Sequence, residues 1–376
     1  MNRFVRKPIA LFALCVMLLG LSACALTQHS SEEATVCATV MEIEKFGHVV
    51  LDVKTADLIA NGYALGDRVC VRMDSYEADM PFYDGYYTNP GTVMLRGSTP
   101  ESNIAICINY GDFSSETGTA VGDRVEITLV EKAGVLAVQE LCALQYSNDR
   151  ADYSDDTVYA NFRAVTAGEI GDGKLYRTAS PVNNEHGRAG YANALIAEAG
   201  VATILNLADS REEVEAFLAA EDFQSQYYRE HYLSGNVAAI NLKGNFFEES
   251  FAESVAEGLT FLAQKEAPYC IHCTEGKDRA GVVAMLLEAL MGAELEEIID
   301  DYMLSYYNYY GIDKENNPAR YDTVLDLNLI PILCHVTGAE TREELSQIDL
   351  ESAVTKYLLN AGMAEADILT LKEKLG

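Results

Sequence analysis

Between Tyr269 and Val283 the chain reads YCIHCTEGKDRAGVV, with five mostly polar residues separating Cys273 from Arg279. An apolar run precedes the cysteine and a helix-like run follows the arginine. A short loop between a strand end and a helix N-terminus lets successive backbone N–H groups converge on one concavity. With the positive end of the helix dipole, such a nest binds a tetrahedral dianion. Thr274, Glu275, Gly276, Lys277, Asp278 and Arg279 are the candidate phosphate-binding residues. Gly276 gives the backbone the freedom that a tight loop needs. Arg279 offers a planar fork to two phosphate oxygens, which a lysine cannot do bidentately. The same field favours the thiolate of Cys273. A thiolate facing a clamped phosphate ester is set for in-line displacement, forming a cysteinyl-phosphate that water then hydrolyses. The leaving oxygen needs a proton. Asp278, inside the loop, is the first candidate for that acid, and Asp209, in NLADS, is the second. For Asp278 a helix-N-terminal or salt-bridging role weighs equally. His272 is expected to brace the loop by hydrogen bonding. No cofactor and no metal are expected.

These residues need a frame. From 158 to 376, strand-like and helix-like runs alternate: YANALIAEAG, VATILNLADS, VAAINL, a helical FFEESFAESVAEGLTFLAQK, then APYCIHC and AGVVAMLLEALMG, apolar nearly all round. Alternation of this kind predicts an α/β domain with a mostly parallel sheet flanked by helices. The loop then follows the central strand, at the carboxyl end where ligands bind such sheets. Residues 36–147 read differently. Short β-branched runs separated by Gly-Asp turns, among them the near-repeats ALGDRVCV and AVGDRVEI, predict a small all-β barrel or sandwich. DRVEITLVEKAGVLAV is read among these strands. Polar segments 24–35 and 148–157 are expected linkers. Cys37, Cys70, Cys107 and Cys142 each sit in an apolar, strand-like run, where a buried free thiol is the commonest role, although disulfides stay open. Cys270 and Cys273 form a C-x-x-C, with Cys270 expected to pack within the strand. Tyr302, Tyr306, Tyr307, Tyr309 and Tyr310 are expected to form a helix packing face.

HCTEGKDRAG carries the H-C-x5-R signature of protein tyrosine phosphatases and most resembles the atypical bacterial H-C-x-x-G-K-D-R group. That group includes secreted mycobacterial-type phosphatases active on phosphotyrosine and phosphoinositides. NFRAV and GKLYRTASPVN, between Asn161 and Asn183, are similar to that family's opening segments. The resemblance covers nearly all of 158–376. It implies a tyrosine or dual-specificity phosphatase whose substrate is a phosphorylated protein or a phosphoinositide or inositol phosphate. Three positions depart from the family pattern. Ala164 stands where the family commonly has aspartate, Ala280 where a hydroxyl usually follows the arginine, and Glu275 where a small residue is common. A W-P-D loop is excluded because the chain has no Trp. The β-domain resembles the C-terminal domain of SAM-hydroxide adenosyltransferases over about a hundred residues, and no ligand is carried over from it. Two other readings remain open: a catalytically weak phosphate- or phosphoprotein-binding module, and rhodanese-like sulfur transfer.

The chain begins MNRFVRKPIALFALCVMLLGLSAC, a basic start and an apolar run too short to span a bilayer. LSAC resembles the lipobox of bacterial lipoproteins, which makes 1–23 the signal peptide and Cys24 the lipidation site. The expected location is extracytoplasmic, with the membrane reached through the N-terminal lipid. The net charge is -31, and both halves of the chain are acidic. Such a field repels nucleic acid, so any anionic substrate must be captured by a locally basic site.

Overall fold

The computed structural model describes residues 35–221, 223–242 and 245–376. Cys24 and the signal-like segment 1–23 lie outside the described residues. The N-terminal part is a closed barrel of seven strands: β1 (Val36–Ile43), β2 (Val49–Lys54), β3 (Arg68–Met73), β4 (Tyr76–Tyr83), β5 (Val93–Arg96), β6 (Asn103–Ile108) and β7 (Arg124–Glu131). The order round the barrel is β1-β2-β6-β5-β4-β3-β7, and β4 with β5 is its parallel pair. The two repeated Gly-Asp turns launch β3 and β7, with Gly66 and Gly122 in the left-handed region at φ 91° and 96°. Alternation then sends Val69, Val71, Val125 and Ile127 into the barrel interior.

Two expectations about this part need correction. The run DRVEITLVEKAGVLAV does not continue as strand. It leaves β7 at Glu131 and becomes a helix, Leu136–Cys142. The cause is Asp67, which is 1% exposed. Its carboxylate accepts the Ala133 N–H at 2.8 Å and the Lys132 ammonium at 2.9 Å. That turns the chain through a left-handed Ala133, φ 56°. The cysteines also differ from a uniform set of buried thiols. Cys107 is buried, but Cys37 and Cys142 are exposed, and all seven described cysteines are free. Cys37 lies on the outward face of β1, and Cys142 ends the helix that replaces the expected strand.

The C-terminal part holds a five-stranded sheet: β8 (Arg163–Val165), β9 (Leu175–Thr178), β10 (Thr203–Asn206), β11 (Val237–Ala239) and β12 (Tyr269–His272). Its order is β11-β10-β12-β9-β8, which puts β12 in the middle. The pairings β11–β10, β10–β12 and β12–β9 are parallel, and the edge strand β8 is antiparallel. Period-two alternation sends Tyr269, Ile271 and Cys273 into the larger core and Cys270 into the cluster on the opposite face. Opposite faces keep the two sulfurs of the C-x-x-C apart. The helix Asp278–Leu290 has every residue from Ala280 to Leu290 buried. It packs against β12 and the helices Leu295–Tyr310 and Leu350–Asn360. Each fully buried Val or Leu on it contributes roughly 1.5–3 kcal/mol, which anchors the loop at the helix N-terminus.

The polar stretch 148–157 is not a bare tether. Arg188, 2% exposed, donates to Ser147 O at 2.9 Å, Asn148 Oδ1 at 2.7 Å and Tyr153 Oη at 3.1 Å. Its guanidinium also faces the rings of Tyr146, Tyr153, Tyr159 and Tyr309 at 4.6–5.7 Å. On the barrel side, the helix Leu136–Cys142 packs against the helix Pro318–Val324. Leu141 joins the larger core of the C-terminal part.

Candidate active site

The loop from Cys273 to Asp278 leaves the carboxyl end of β12 and enters the helix Asp278–Leu290. Its carbonyls are tied outward one after another. Ser180 N–H donates to Thr274 O at 3.1 Å. Asn161 Nδ2 and Tyr309 Oη donate to Glu275 O at 3.1 and 2.7 Å. Arg177 Nη2 donates to Gly276 O at 2.8 Å and Lys277 O at 3.0 Å. By contrast, none of the N–H groups of Thr274 to Asp278 donates to an acceptor among the described residues. A row of amides without protein acceptors, at a helix N-terminus, is what an oxyanion requires. Gly276 makes the turn possible. It has φ 68°, and a Cβ there would lie 2.3 Å from Thr178 O.

The residues that hold the carbonyls are themselves buried and paired. Asn161, fully buried and at φ 50°, also donates to Ser305 Oγ at 3.1 Å. Its Oδ1 accepts from Arg163 at 2.9 Å and Asn308 at 3.0 Å. Asp301 receives Arg163 at 2.7 Å on one oxygen and Arg177 at 2.5 Å on the other. Burial opposes the Asp301 charge, but the two guanidinium groups outweigh it and hold its carboxyl well below the ordinary range. Arg177 and Arg163 are therefore committed to structure. Sequence reasoning assigned no loop-supporting role to these arginines or to Asn161, Asp301 and Ser305.

Cys273 lies at the base of the loop, 2% exposed. Arg279 reaches back across it, with Nη2 3.2 Å from Thr274 Oγ1 and Nη1 3.4 Å from the carbonyls of Ala208 and Leu242. His272 is fully buried. Its Nδ1 lies 3.4 Å from Cys273 O and its Nε2 has no partner among the described residues. Burial pushes its pKa down to about 3, so the ring is neutral beside the cysteine. Asp278 opens the helix, with half of its side-chain surface facing solvent. Desolvation by the surrounding protein, with the Glu275 charge adding to it, raises its pKa despite Lys277 and Arg279 nearby. Asp209 is 6% exposed and accepts from Asn206 Nδ2 at 3.0 Å. Burial raises its pKa as well, partly countered by Asn206 and Arg279. Arg279 is thus near both candidate acids.

Glu275 turns its side chain away to two partners. Tyr146 donates to Oε1 at 2.5 Å, and Lys277 pairs with Oε2 at 3.0 Å. Burial works against its charge, but Lys277 and then the Tyr146 hydroxyl overcome this and hold its carboxyl below the ordinary range. Lys277 also donates to Tyr310 Oη at 3.0 Å and lies over the rings of Tyr306 and Tyr310. The tyrosine cluster is therefore not a uniform packing face. Tyr302, Tyr306 and Tyr309 are buried and Tyr307 is exposed, while Tyr309 and Tyr310 reach the loop. No group of three His, Cys, Asp or Glu side chains among the described residues is arranged to hold a metal ion.

The family model described as the tyrosine phosphatase family matches residues 159–376, more than half of the chain. A tyrosine-protein phosphatase of Nostoc commune is 27% identical over 135 residues, covering 32% of this chain and 46% of that protein. The chain thus spans about half the length of that curated relative. A crystal structure of an uncharacterized conserved protein from Thermotoga maritima aligns at 21% identity over 25% of this chain and 36% of that one, with a TM-score of 0.23.

The loop geometry makes one substitution decisive. Gly276→Ala places a methyl against Thr178 O in a left-handed backbone, so the amide row cannot keep its curvature. Affinity for orthovanadate, measured by calorimetry, should fall by about tenfold or more. Unchanged affinity would mean that these amides do not form the anion site.

Proposed function

The chain belongs to the tyrosine phosphatase family, and from that premise we propose that it hydrolyses phosphate monoesters through a cysteinyl-phosphate. The observation that carries this reading is the loop itself, whose carbonyls are bonded outward and whose amides have no protein acceptor, with Cys273 at its base and Arg279 across it. The ester's phosphoryl group sits in the amide row, its charge shared with Arg279. The Cys273 thiolate attacks phosphorus in line as the ester oxygen leaves. Asp278 gives that oxygen its proton; water, activated by the resulting carboxylate, then cleaves the S–P bond and restores the thiolate. The preference for Asp278 over Asp209 rests on access, since half of the Asp278 side chain faces solvent whereas Asp209 is buried and bonded to Asn206. Phosphotyrosine is the substrate class proposed first, with phosphoserine, phosphothreonine and phosphoinositides as further esters.

The location proposed for this activity is outside the cell membrane, with the lipid on Cys24 as the anchor. The LSAC motif after a basic, apolar start supports it. Among the described residues no helix is long and apolar enough to cross a membrane.

Cys273→Ser should abolish p-nitrophenyl phosphate hydrolysis while keeping phosphate binding, because the amides and Arg279 remain. EDTA should leave the wild-type rate unchanged, since those groups supply the charge stabilisation. Hydrolysis that survives in the serine variant would overturn the thiolate mechanism. Wild-type binding without any turnover would instead favour the phosphate-binding module, which Ala164 and Ala280 at the family's polar positions support.

The acid is tested by leaving group and pH. Desolvation raises the Asp278 pKa above the ordinary carboxylate range, and the rate on alkyl phosphates should fall as pH rises through that pKa. Asp278→Asn should remove this descending limb and slow alkyl esters by about a hundredfold, within the usual range for general acid catalysis. Activated aryl esters should lose far less. Equal losses on both classes would mean that Asp278 shapes the loop instead, and Asp209→Asn would then be tested in the same way.

For the anchor, Cys24→Ala should move the full chain from the detergent phase to the aqueous phase in Triton X-114 partition. Retention in the detergent phase would rule out lipidation at Cys24 as the anchor.

A further inference from the structure

Glu275 poses an electrostatic problem for the phosphate site. A carboxylate in the binding loop of a dianion repels it, and the site is partly buried, where such repulsion is weakly screened. The structure answers by occupying both oxygens. Lys277 takes Oε2 at 3.0 Å, and Oε1 receives the hydroxyl of Tyr146 at 2.5 Å. The tyrosine is well placed to fix that geometry. Its ring lies 4.7 Å from Tyr309 and 5.8 Å from His186, with the Arg188 guanidinium 5.0 Å from its centroid. Tyr309 in turn donates to the backbone carbonyl of the same Glu275 at 2.7 Å. The residue is thus held by a hydroxyl at its side chain and another at its backbone, on two rings that pack together.

Tyr146 lies outside the 159–376 segment matched to the family. It follows the helix Leu136–Cys142 that leaves the barrel. We propose that Tyr146 is a positioning residue for the phosphate loop, contributed by the barrel-side segment, which holds Glu275 turned away from the bound phosphate and so sets the affinity for the phosphate ester. The proposal rests on the phosphatase reading of this site. Without the Tyr146 hydroxyl, Oε1 loses its partner, and the carboxylate is free to swing on Lys277 toward the amide row. The barrel segment then bears on catalysis through the charge of the loop, with no contact to the phosphorus centre.

The test uses the full chain and inorganic phosphate as the binding probe. Tyr146→Phe keeps the ring and its packing and deletes one hydroxyl. It should weaken phosphate binding by roughly ten- to a hundredfold, the range for losing one hydrogen bond to a charged group. The KM for p-nitrophenyl phosphate should rise in parallel, with the loss falling on KM rather than kcat. In a Glu275→Gln background the same Tyr146→Phe change should alter phosphate binding less than about twofold, since the charge to be restrained is gone. Unchanged binding in Tyr146→Phe, or an equal loss in the glutamine background, would overturn the proposal and leave Tyr146 a packing residue. The expected binding pattern in a chain that hydrolyses nothing would overturn the phosphatase reading while keeping this role for Tyr146. A wild-type chain that binds no phosphate would overturn both.

Discussion

The direction of four carbonyls governs this site. Thr274, Glu275, Gly276 and Lys277 each give their carbonyl oxygen to a donor outside the loop. A peptide unit with its oxygen turned one way presents its N–H the other way, so the four bonds together set where the amides converge. The donors come from distant parts of the chain: Asn161 before β8, Arg177 in β9, Ser180 after it, and Tyr309 in the helix Leu295–Tyr310. The loop is therefore only as well formed as the packing of those elements on the sheet. Preorganised dipoles of this kind stabilise developing charge without reorganising during the reaction.

Behind the loop the charge balance is uneven. Arg163 and Arg177 share Asp301, and Glu288 is buried beside them at 1% exposure with one oxygen lacking a partner among the described residues. Burial, then the Asp301 charge, raises the Glu288 carboxyl well above its ordinary range, which favours its protonated form beside the ionised Asp301. Two guanidinium groups against one carboxylate leave a local excess of positive charge. Arg177 delivers part of it to the loop through Gly276 O and Lys277 O. A chain of net charge -31 thus holds two guanidinium groups behind the loop against one ion-paired carboxylate. Breaking such a buried pair costs about 3–5 kcal/mol, because the remaining charge is left uncompensated.

What could be read from sequence was local. Cys273, Gly276 and Arg279 stand out because a strand, a tight polar loop and an apolar helix follow one another, and each leaves its own periodicity. The Gly-Asp turns before β3 and β7 were readable for the same reason. The supports were not. Asp301 is one acid among many on an amphipathic helix, and nothing nearby in sequence marks it as the partner of two arginines more than a hundred residues earlier. Asn161 was visible only inside a motif, without its role. Tyr146 lies at the end of the segment read as the β-domain, just before the expected linker, and its hydroxyl has meaning only once Glu275 is placed opposite it. The helix Leu136–Cys142 was misread because a buried carboxylate, Asp67, overrides the local β-propensity by turning the chain at Ala133.

The two candidate acids show how similar electrostatics permit different chemistry. Burial raises both Asp209 and Asp278, and Arg279 pulls both back toward the ionised form. A raised pKa alone does not choose between them. Asp209 already engages Asn206, whose Nδ2 also lies 3.1 Å from Tyr228 Oη; moving its carboxyl to a leaving group would break a buried, satisfied arrangement. Asp278 pairs only at 3.9 Å with Lys277 and shows half of its side-chain surface to solvent, so it can turn toward a substrate at little cost in hydrogen bonds. Its place at the first turn of a helix favours the carboxylate left after proton transfer. Lys277, bound at the same time to Glu275 and Tyr310, stays close enough to compensate that charge while remaining held outside the amide row. Access and the stability of the product charge thus point to the same residue.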